Sequence, residues 1–163
     1  MLLKNLEKIK QKEYIPVIEE YLDKLHHHFD ERIIGVLLFG SVAGGEAKPL
    51  KKYESDIDLI VLIKGIPENI SERLMLKAKL VLELRLGSRV QGFWMPPEEL
   101  PRLAGARTGY IMEALTEGII LYDPEQTIEE SKKNLERDLR ERGVEKKKYG
   151  WVWPIRAGEI IKL

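Results

Sequence analysis

Two aspartates, Asp56 and Asp58, stand at the start of an apolar run, SDIDLIVLI. The run predicts a buried strand over residues 57–63, although strands disfavour Asp. Alternate residues of a strand point to one face, so both carboxylates share a face, opposite to Ile57 and Leu59. Two like charges about 6 Å apart repel by roughly 3 kcal/mol at an effective dielectric constant of about 20. The pair therefore predicts either a bound proton or a cation between the carboxylates, and a Mg²⁺ site is the preferred hypothesis.

A Gly-Ser pair, Gly40–Ser41, follows a second apolar run over residues 33–39. A strand that ends in Gly-Ser and turns into a helix exposes backbone N–H groups where phosphate binds, and the Ser41 hydroxyl adds a donor. Glycine also lets a ligand approach the backbone closely. A phosphate cradle on one strand and metal-binding carboxylates on the next are what phosphoryl or nucleotidyl transfer requires.

In this order, FGSVAGGE followed by SDIDLIVLI resembles the nucleotidyltransferase superfamily typified by DNA polymerase beta, and in particular its small stand-alone members. The resemblance is strong over residues 36–63 and looser around Val90 and through LTEGIILYD. It implies a nucleotidyltransferase fold, in which Gly40 and Ser41 bind the nucleotide phosphates. It also implies that Asp56 and Asp58 are catalytic and bind two Mg²⁺ ions.

The resemblance further implies an NTP substrate, with ATP as the expected donor of AMP. The acceptor is a hydroxyl group on a protein, an RNA or a small molecule. Some stand-alone members resemble antitoxins that adenylylate a toxin, so a protein partner is expected alongside the alternative of a homo-oligomer.

Two departures concern charge near the phosphates and the metal. Gly44 stands where the family usually has Arg, and lysines in the long spacer, Lys48, Lys51 and Lys52, are candidates to replace that charge. The strand RVQGFW offers Gln91 where many members have a third carboxylate. An amide cannot act as a base and binds metals weakly.

Acidic candidates to replace the third carboxylate are Glu83 and Glu113, but the sequence alone brings neither to the site. An alternative function therefore stays open. In that alternative the chain is a catalytically weak or inactive nucleotide- and metal-binding module that acts through a protein partner.

The elements that must position these residues alternate between strand and helix. They predict an α/β (α+β) fold, a mixed β-sheet flanked by helices, in a single domain over residues 1–163. Its core spans about 30–123, with N-terminal helices over 1–30 and a C-terminal helix and tail over 124–163. The pattern predicts strands at 33–39, 57–63, 90–95 and 119–122, and either a last strand or an aromatic tail that folds back at 150–155. It predicts helices at 3–29 with a break at Pro16, at 71–86 with Ser71 as N-cap, near Glu98, at 108–117 and at 125–142.

Composition narrows the function classes. Lys+Arg and Asp+Glu number 27 each, so net charge does not indicate nucleic acid as the main partner. The absence of Cys excludes disulfides and thiolate chemistry. The first residues are too polar for a signal peptide and no apolar run spans a bilayer, so we expect a cytoplasmic protein without membrane contact. The 33% content of charged residues favours, weakly, a thermophilic source.

At three places in the sequence a purely structural role is an alternative to a functional one. The aspartates would be structural if Lys51 or Lys52 neutralised them. His26–His28 are consecutive on a helix and cannot converge on one ion, so they indicate a partly exposed helix end. Trp151 and Trp153 are expected to anchor the chain terminus rather than stack on a base.

Overall fold

The computed structural model describes residues 1–52, 54–147 and 150–154 of the 163-residue chain. Short 3₁₀ turns occur at Leu6–Lys8, Lys12–Tyr14, Asp30–Arg32 and Leu50–Lys52. The helices are α1 Ile15–Phe29, α2 Gly40–Gly44, α3 Ile70–Glu83, α4 Glu99–Gly105, α5 Gly109–Glu117 and α6 Thr127–Glu141. The strands are β1 Ile33–Phe39, β2 Ile57–Ile63, β3 Val90–Met95, β4 Ile119–Tyr122, β5 Glu145–Lys147 and β6 Gly150–Val152.

The main sheet has the strand order β3-β2-β1-β4. Strand β1 is antiparallel to β2 and β4, whereas β2 and β3 are parallel, so the sheet is mixed as predicted. The two central strands are almost entirely buried, which explains why they appear in the sequence as continuous apolar runs.

Helices cover both faces of this sheet. Residues of α1 and α3 pack with Ile57 and Leu59 on one face. Helices α4, α5 and α6 pack with Ile60 and Leu62 on the other. The predicted fold class, a mixed sheet flanked by helices, is confirmed.

Two helix boundaries differ from the prediction. Pro16 does not break a long helix, because the residues before it form only single turns and Pro16 lies in the first turn of α1. Proline is favoured there, since that N–H has no partner within the helix. Helix α3 is capped by Asn69 rather than Ser71, with Asn69 Oδ1 accepting the Glu72 N–H at 3.1 Å, and it ends at Glu83.

The C-terminal part contains a hairpin that the sequence did not predict. Residues Glu145–Lys147 pair antiparallel with Gly150–Val152, whereas the predicted helix at 125–142 and strand at 150–155 left residues 145–147 without an element. Trp151 and Trp153 pack against the core on the side of α4–α6, which supports their role as anchors. The predicted end of the last strand at Ile155 lies outside the described residues. Across the described ranges, the helices are too short or too polar to cross a bilayer.

Candidate active site

The chain turns sharply where β1 passes into α2. Gly40, the first residue of α2, has φ +71°, a left-handed conformation that residues with a side chain rarely adopt. The carbonyl of Ser41 accepts the backbone N–H groups of Glu46 (2.9 Å) and Ala47 (3.1 Å). Gly40 and Ser41 thus lie together at the end of a buried central strand, where a sharp turn leads into the helix.

Gly40 packs directly against the carboxylate of Asp58. Phe39 and Asp58 are register partners across β1 and β2, which brings residue 40 beside residue 58. A β-carbon built on Gly40 would overlap Asp58 Oδ2 and would lie 3.3 Å from Asp58 Cγ. Glycine satisfies both the positive φ and this contact, so the Gly-Ser turn and the aspartate form one site.

Two neighbouring carboxylates act on Asp58. Burial raises the pKa of Asp58 above its ordinary value, and the charges of Asp56 and Glu113 raise it further. Asp58 is half-buried near the start of β2, whereas Asp56 is exposed and lies one residue before the strand. The site is therefore acidic and partly desolvated.

No lysine neutralises this pair of aspartates in the part of the chain that the structure describes. Neither Asp56 nor Asp58 takes part in a salt bridge there, and Lys48, Lys51 and Lys52 are exposed. The alternative in which Lys51 or Lys52 neutralises the aspartates is therefore wrong.

Helix α5 brings Glu113 towards the site. Phe39, Phe93 and Tyr110 form a chain of ring contacts across the same face of the sheet, with ring centroids 5.6 and 5.8 Å apart. Tyr110 lies three residues before Glu113, so the two side chains share one side of α5. This approach could not be predicted from the sequence, because it depends on how α5 packs over the sheet.

The other acidic candidate lies elsewhere. Glu83 is at the end of α3, on the opposite face of the sheet, and pairs with Lys79 at 3.6 Å. Gln91 is the register partner of Asp58 on the parallel strand β3 and is exposed. The position next to Asp58 on the sheet is therefore occupied by an amide, and the additional carboxylate comes from a helix.

The N-terminal residues hold the connection between the Gly-Ser turn and the aspartates. The Tyr14 hydroxyl donates to the Lys48 carbonyl, and Glu13 Oε1 accepts the Leu50 N–H at 2.7 Å. Tyr14 is fully buried, which fixes this contact in the core. The sequence did not predict this supporting role for the N-terminal segment.

The carboxylate oxygens of Asp56 and Asp58 suit a hard divalent cation whose remaining coordination positions are filled by a bound substrate and water. Among the described residues, no three His, Asp or Glu side chains form a closed metal cluster. Mg²⁺ does not need one, since it usually takes one or two carboxylates together with substrate phosphates and water. Unpaired carboxylate oxygens beside a Gly-Ser turn fit that requirement.

Proteins similar to this chain are known both by sequence and by structure. No protein-family model matches the chain. The chain is 32% identical over 102 residues to "Putative protein adenylyltransferase MJ1305" of Methanocaldococcus jannaschii, across 58% of this chain and 67% of that protein.

Among solved structures, the chain is similar to a toxin–antitoxin complex with AMP-PNP, at 22% identity and a TM-score of 0.47, across 77% of this chain and 92% of that one. It is also similar to a "putative nucleotidyltransferase" from Sulfolobus solfataricus, at 20% identity and a TM-score of 0.49, across 74% and 88% of the two chains. These two similarities are distant. The identity to the Methanocaldococcus protein, over two thirds of its length, is what shows the family. The chain belongs to the nucleotidyltransferase family and is a nucleotidyltransferase.

Proposed function

We propose that this enzyme transfers AMP from ATP to a hydroxyl group of a protein, with Mg²⁺ held by Asp56 and Asp58. The name of the Methanocaldococcus relative, a protein adenylyltransferase, supports AMP as the transferred group and a protein as the acceptor. The observation that carries the proposal is the contact between Gly40 and Asp58, which places the turn proposed to bind phosphate beside the carboxylate proposed to bind metal.

Gly40 and Ser41 would hold the phosphates of ATP. The positive φ of Gly40 and its missing side chain leave the backbone open to a phosphate oxygen. The Ser41 hydroxyl is a further donor at the same turn. Gly44 supplies no cation here, so a metal held by Asp56 and Asp58 would balance much of the negative charge of the phosphates.

Asp56 and Asp58 would hold the metal, with Glu113 as a third carboxylate nearby. When bound, two Mg²⁺ ions neutralise the phosphates, activate the acceptor hydroxyl and stabilise the leaving pyrophosphate. Burial of Asp58, and the negative charges of Asp56 and Glu113 beside it, make its ionised form unfavourable. A bound cation would relieve this cost, so the arrangement favours cation binding.

In the transfer step, the acceptor oxygen forms a bond to the α-phosphorus. The bond from that phosphorus to the oxygen bridging the β-phosphate breaks, and pyrophosphate leaves. The hydroxyl proton passes to a carboxylate of the site. Gln91 cannot accept it, because an amide is not a base. Asp56, Asp58 and Glu113 are the carboxylates available for this role.

One observation favours a second function. Gln91 stands beside Asp58 at the sheet position where a third carboxylate would be expected from the family resemblance. A module that binds ATP and Mg²⁺ without transfer would keep Gly40, Ser41, Asp56 and Asp58 and would tolerate Gln91.

The test uses the full chain with ATP labelled at the α-phosphate, Mg²⁺, and separate protein, RNA and small-molecule acceptors. We expect pyrophosphate release with label on a protein acceptor, and loss of both in Asp58→Ala. Asp23→Ala, the same change at an exposed aspartate of α1, is the matched control and should leave pyrophosphate release and labelling unchanged.

Binding of ATP without pyrophosphate release for any acceptor would establish the binding module instead. If label appeared only on RNA or on a small molecule, the protein would still be an adenylyl-transferring enzyme, but the proposal of a protein acceptor would be contradicted. If neither ATP nor Mg²⁺ changed the melting temperature, both functions would be contradicted.

A further inference from the structure

An exposed apolar face runs along α3. Ile70, Leu74, Met75 and Leu82 expose 63%, 60%, 74% and 79% of their surfaces, and Ala78 is exposed among them. Helix residues four apart are neighbours on the surface, so 70, 74, 78 and 82 form one strip. At about 1.5 Å per residue the strip is about 18 Å long. Solvent-facing helix surfaces are normally polar, and a contiguous apolar one marks an interaction site.

The same face carries no charge, because two basic residues of α3 turn into the protein instead. Arg73 is buried and bonded to both oxygens of Glu99, at 2.6 and 3.1 Å. Lys77 Nζ donates to the carbonyl of Gly92 on the edge strand β3. Nothing on the exposed face would therefore select a partner of opposite charge.

We infer that a second copy of this chain covers the face, with the two α3 helices antiparallel about a two-fold axis. A two-fold interface uses the same patch twice and must be its own complement. With the axis at the level of Leu76, Ile70 lies opposite Leu82 of the second copy. Leu74 then lies opposite Ala78 of the second copy, whose small side chain leaves room for it.

Charges beside the strip agree with this arrangement. Glu72 and Lys79 lie on the same flank of α3 and are both exposed, and Lys79 also pairs with Glu83 of its own helix at 3.6 Å. In the antiparallel pair this flank of one helix meets the same flank of the other helix. Glu72 of one copy therefore approaches Lys79 of the other, and the two-fold axis repeats the contact. A parallel pair would instead bring this flank against the opposite flank of the second copy, so Glu72 and Lys79 would not meet across the interface. The assembly does not depend on the proposed adenylyl transfer.

The test is sedimentation velocity of the full chain across the micromolar range. The wild type should sediment as a dimer, with twice the 18.9 kDa mass of the chain. Leu74→Glu and, separately, Leu82→Glu should raise the dissociation constant by at least about tenfold, because each places an unpaired charge in an apolar interface. Circular dichroism of each variant checks that the monomer stays folded.

Two controls separate this interface from others. Leu2→Glu makes the same change at a site that is 89% exposed and outside the face, and it should leave the dimer unchanged. Glu72→Lys should weaken the dimer, and adding Lys79→Glu should restore it. A wild-type monomer throughout the range, or a dimer indifferent to Leu74→Glu and Leu82→Glu, would overturn the inference. Failure of the charge exchange to restore the dimer would overturn the antiparallel geometry.

Discussion

Gly40 lies against the Asp58 carboxylate so closely that a β-carbon at residue 40 would overlap Asp58 Oδ2. The contact arises because Phe39 and Asp58 are partners across β1 and β2. This contact holds the Gly-Ser turn, which we propose binds phosphate, and the Asp58 carboxylate, which we propose binds metal, in one fixed relationship. A change in either residue is therefore expected to disturb the function of the other.

Gly40→Ala should impair both stability and transfer. Alanine is strained at φ +71° and its β-carbon displaces the Asp58 carboxylate. We expect the free energy of unfolding to fall by about 1–3 kcal/mol. We also expect the rate of pyrophosphate release to fall by about a hundredfold, since small displacements of reacting groups have effects of that size. Urea unfolding and pyrophosphate release measure the two quantities.

Gly44→Ala is the matched control, because a β-carbon at residue 44 meets no atom within 4 Å and no positive φ opposes it. It should leave transfer unchanged and should raise stability by at most about 1 kcal/mol. Equal losses in the two variants would show that the Gly40–Asp58 contact has no special role.

Ser41→Ala should weaken ATP binding. A hydrogen bond to a charged group contributes about 1.5–3 kcal/mol, which corresponds to a ten- to hundredfold rise in the dissociation constant for ATP. Stability should change little, because the backbone carbonyl of Ser41 makes the contacts that close the turn. Calorimetric titration with ATP and Mg²⁺ measures the affinity, and exposed Ser88→Ala is the control. An unchanged affinity for ATP in Ser41→Ala would show that the Ser41 hydroxyl does not bind the phosphates.

Glu113→Gln should lower kcat while the KM for ATP stays nearly constant. Glu113 acts on Asp58 through its charge, so its loss removes a group that assists transfer rather than one that holds the phosphates. Glu83→Gln is the control, because Glu83 lies on the other face of the sheet and pairs with Lys79. If both variants transferred AMP at the wild-type rate, Glu113 would have no part in the reaction.

The Asp138 salt bridges predict a pH-dependent contribution to stability. Hydrogen bonds from Arg107 and then Arg142, each at 2.8 Å, hold the pKa of Asp138 below its ordinary value. The contribution is therefore present above the unfolded-state pKa of about 3.9 and is lost as pH falls through the lower folded-state pKa.

We expect Asp138→Asn to lower the free energy of unfolding by about 0.5–1 kcal/mol at neutral pH, as for partly exposed ion pairs. The difference from wild type should shrink as the pH falls below the folded-state pKa. Urea unfolding at several pH values measures it, with exposed Asp23→Asn as the control. A difference that stayed constant with pH would contradict this assignment.

Strands β1, β2, β3 and β4 were predictable because each is a short apolar run bounded by Gly, Pro or polar residues. The same local signals predicted the Gly40–Ser41 turn and the paired aspartates. The register of β2 and β3 places Gln91 beside Asp58, as expected from its position in RVQGFW.

Features that depend on packing between distant segments were not predictable. The approach of Glu113 to Asp58 follows from how α5 lies over the sheet. The support that Tyr14 gives to the Lys48 carbonyl joins segments 34 residues apart. The hairpin of β5 was missed because Glu145–Lys147 is fully charged and lacks the apolar alternation of a strand.

The central claim is that Asp56 and Asp58 hold divalent cations together with a nucleotide. It is tested most directly by titrating Mn²⁺ into the full chain with a nonhydrolysable ATP analogue and following unbound Mn²⁺ by electron paramagnetic resonance. The wild type should bind two Mn²⁺ ions in the presence of the analogue, and Asp58→Asn should lose that binding while remaining folded. Equal Mn²⁺ binding by the wild type and Asp58→Asn, or no binding by either, would contradict the claim.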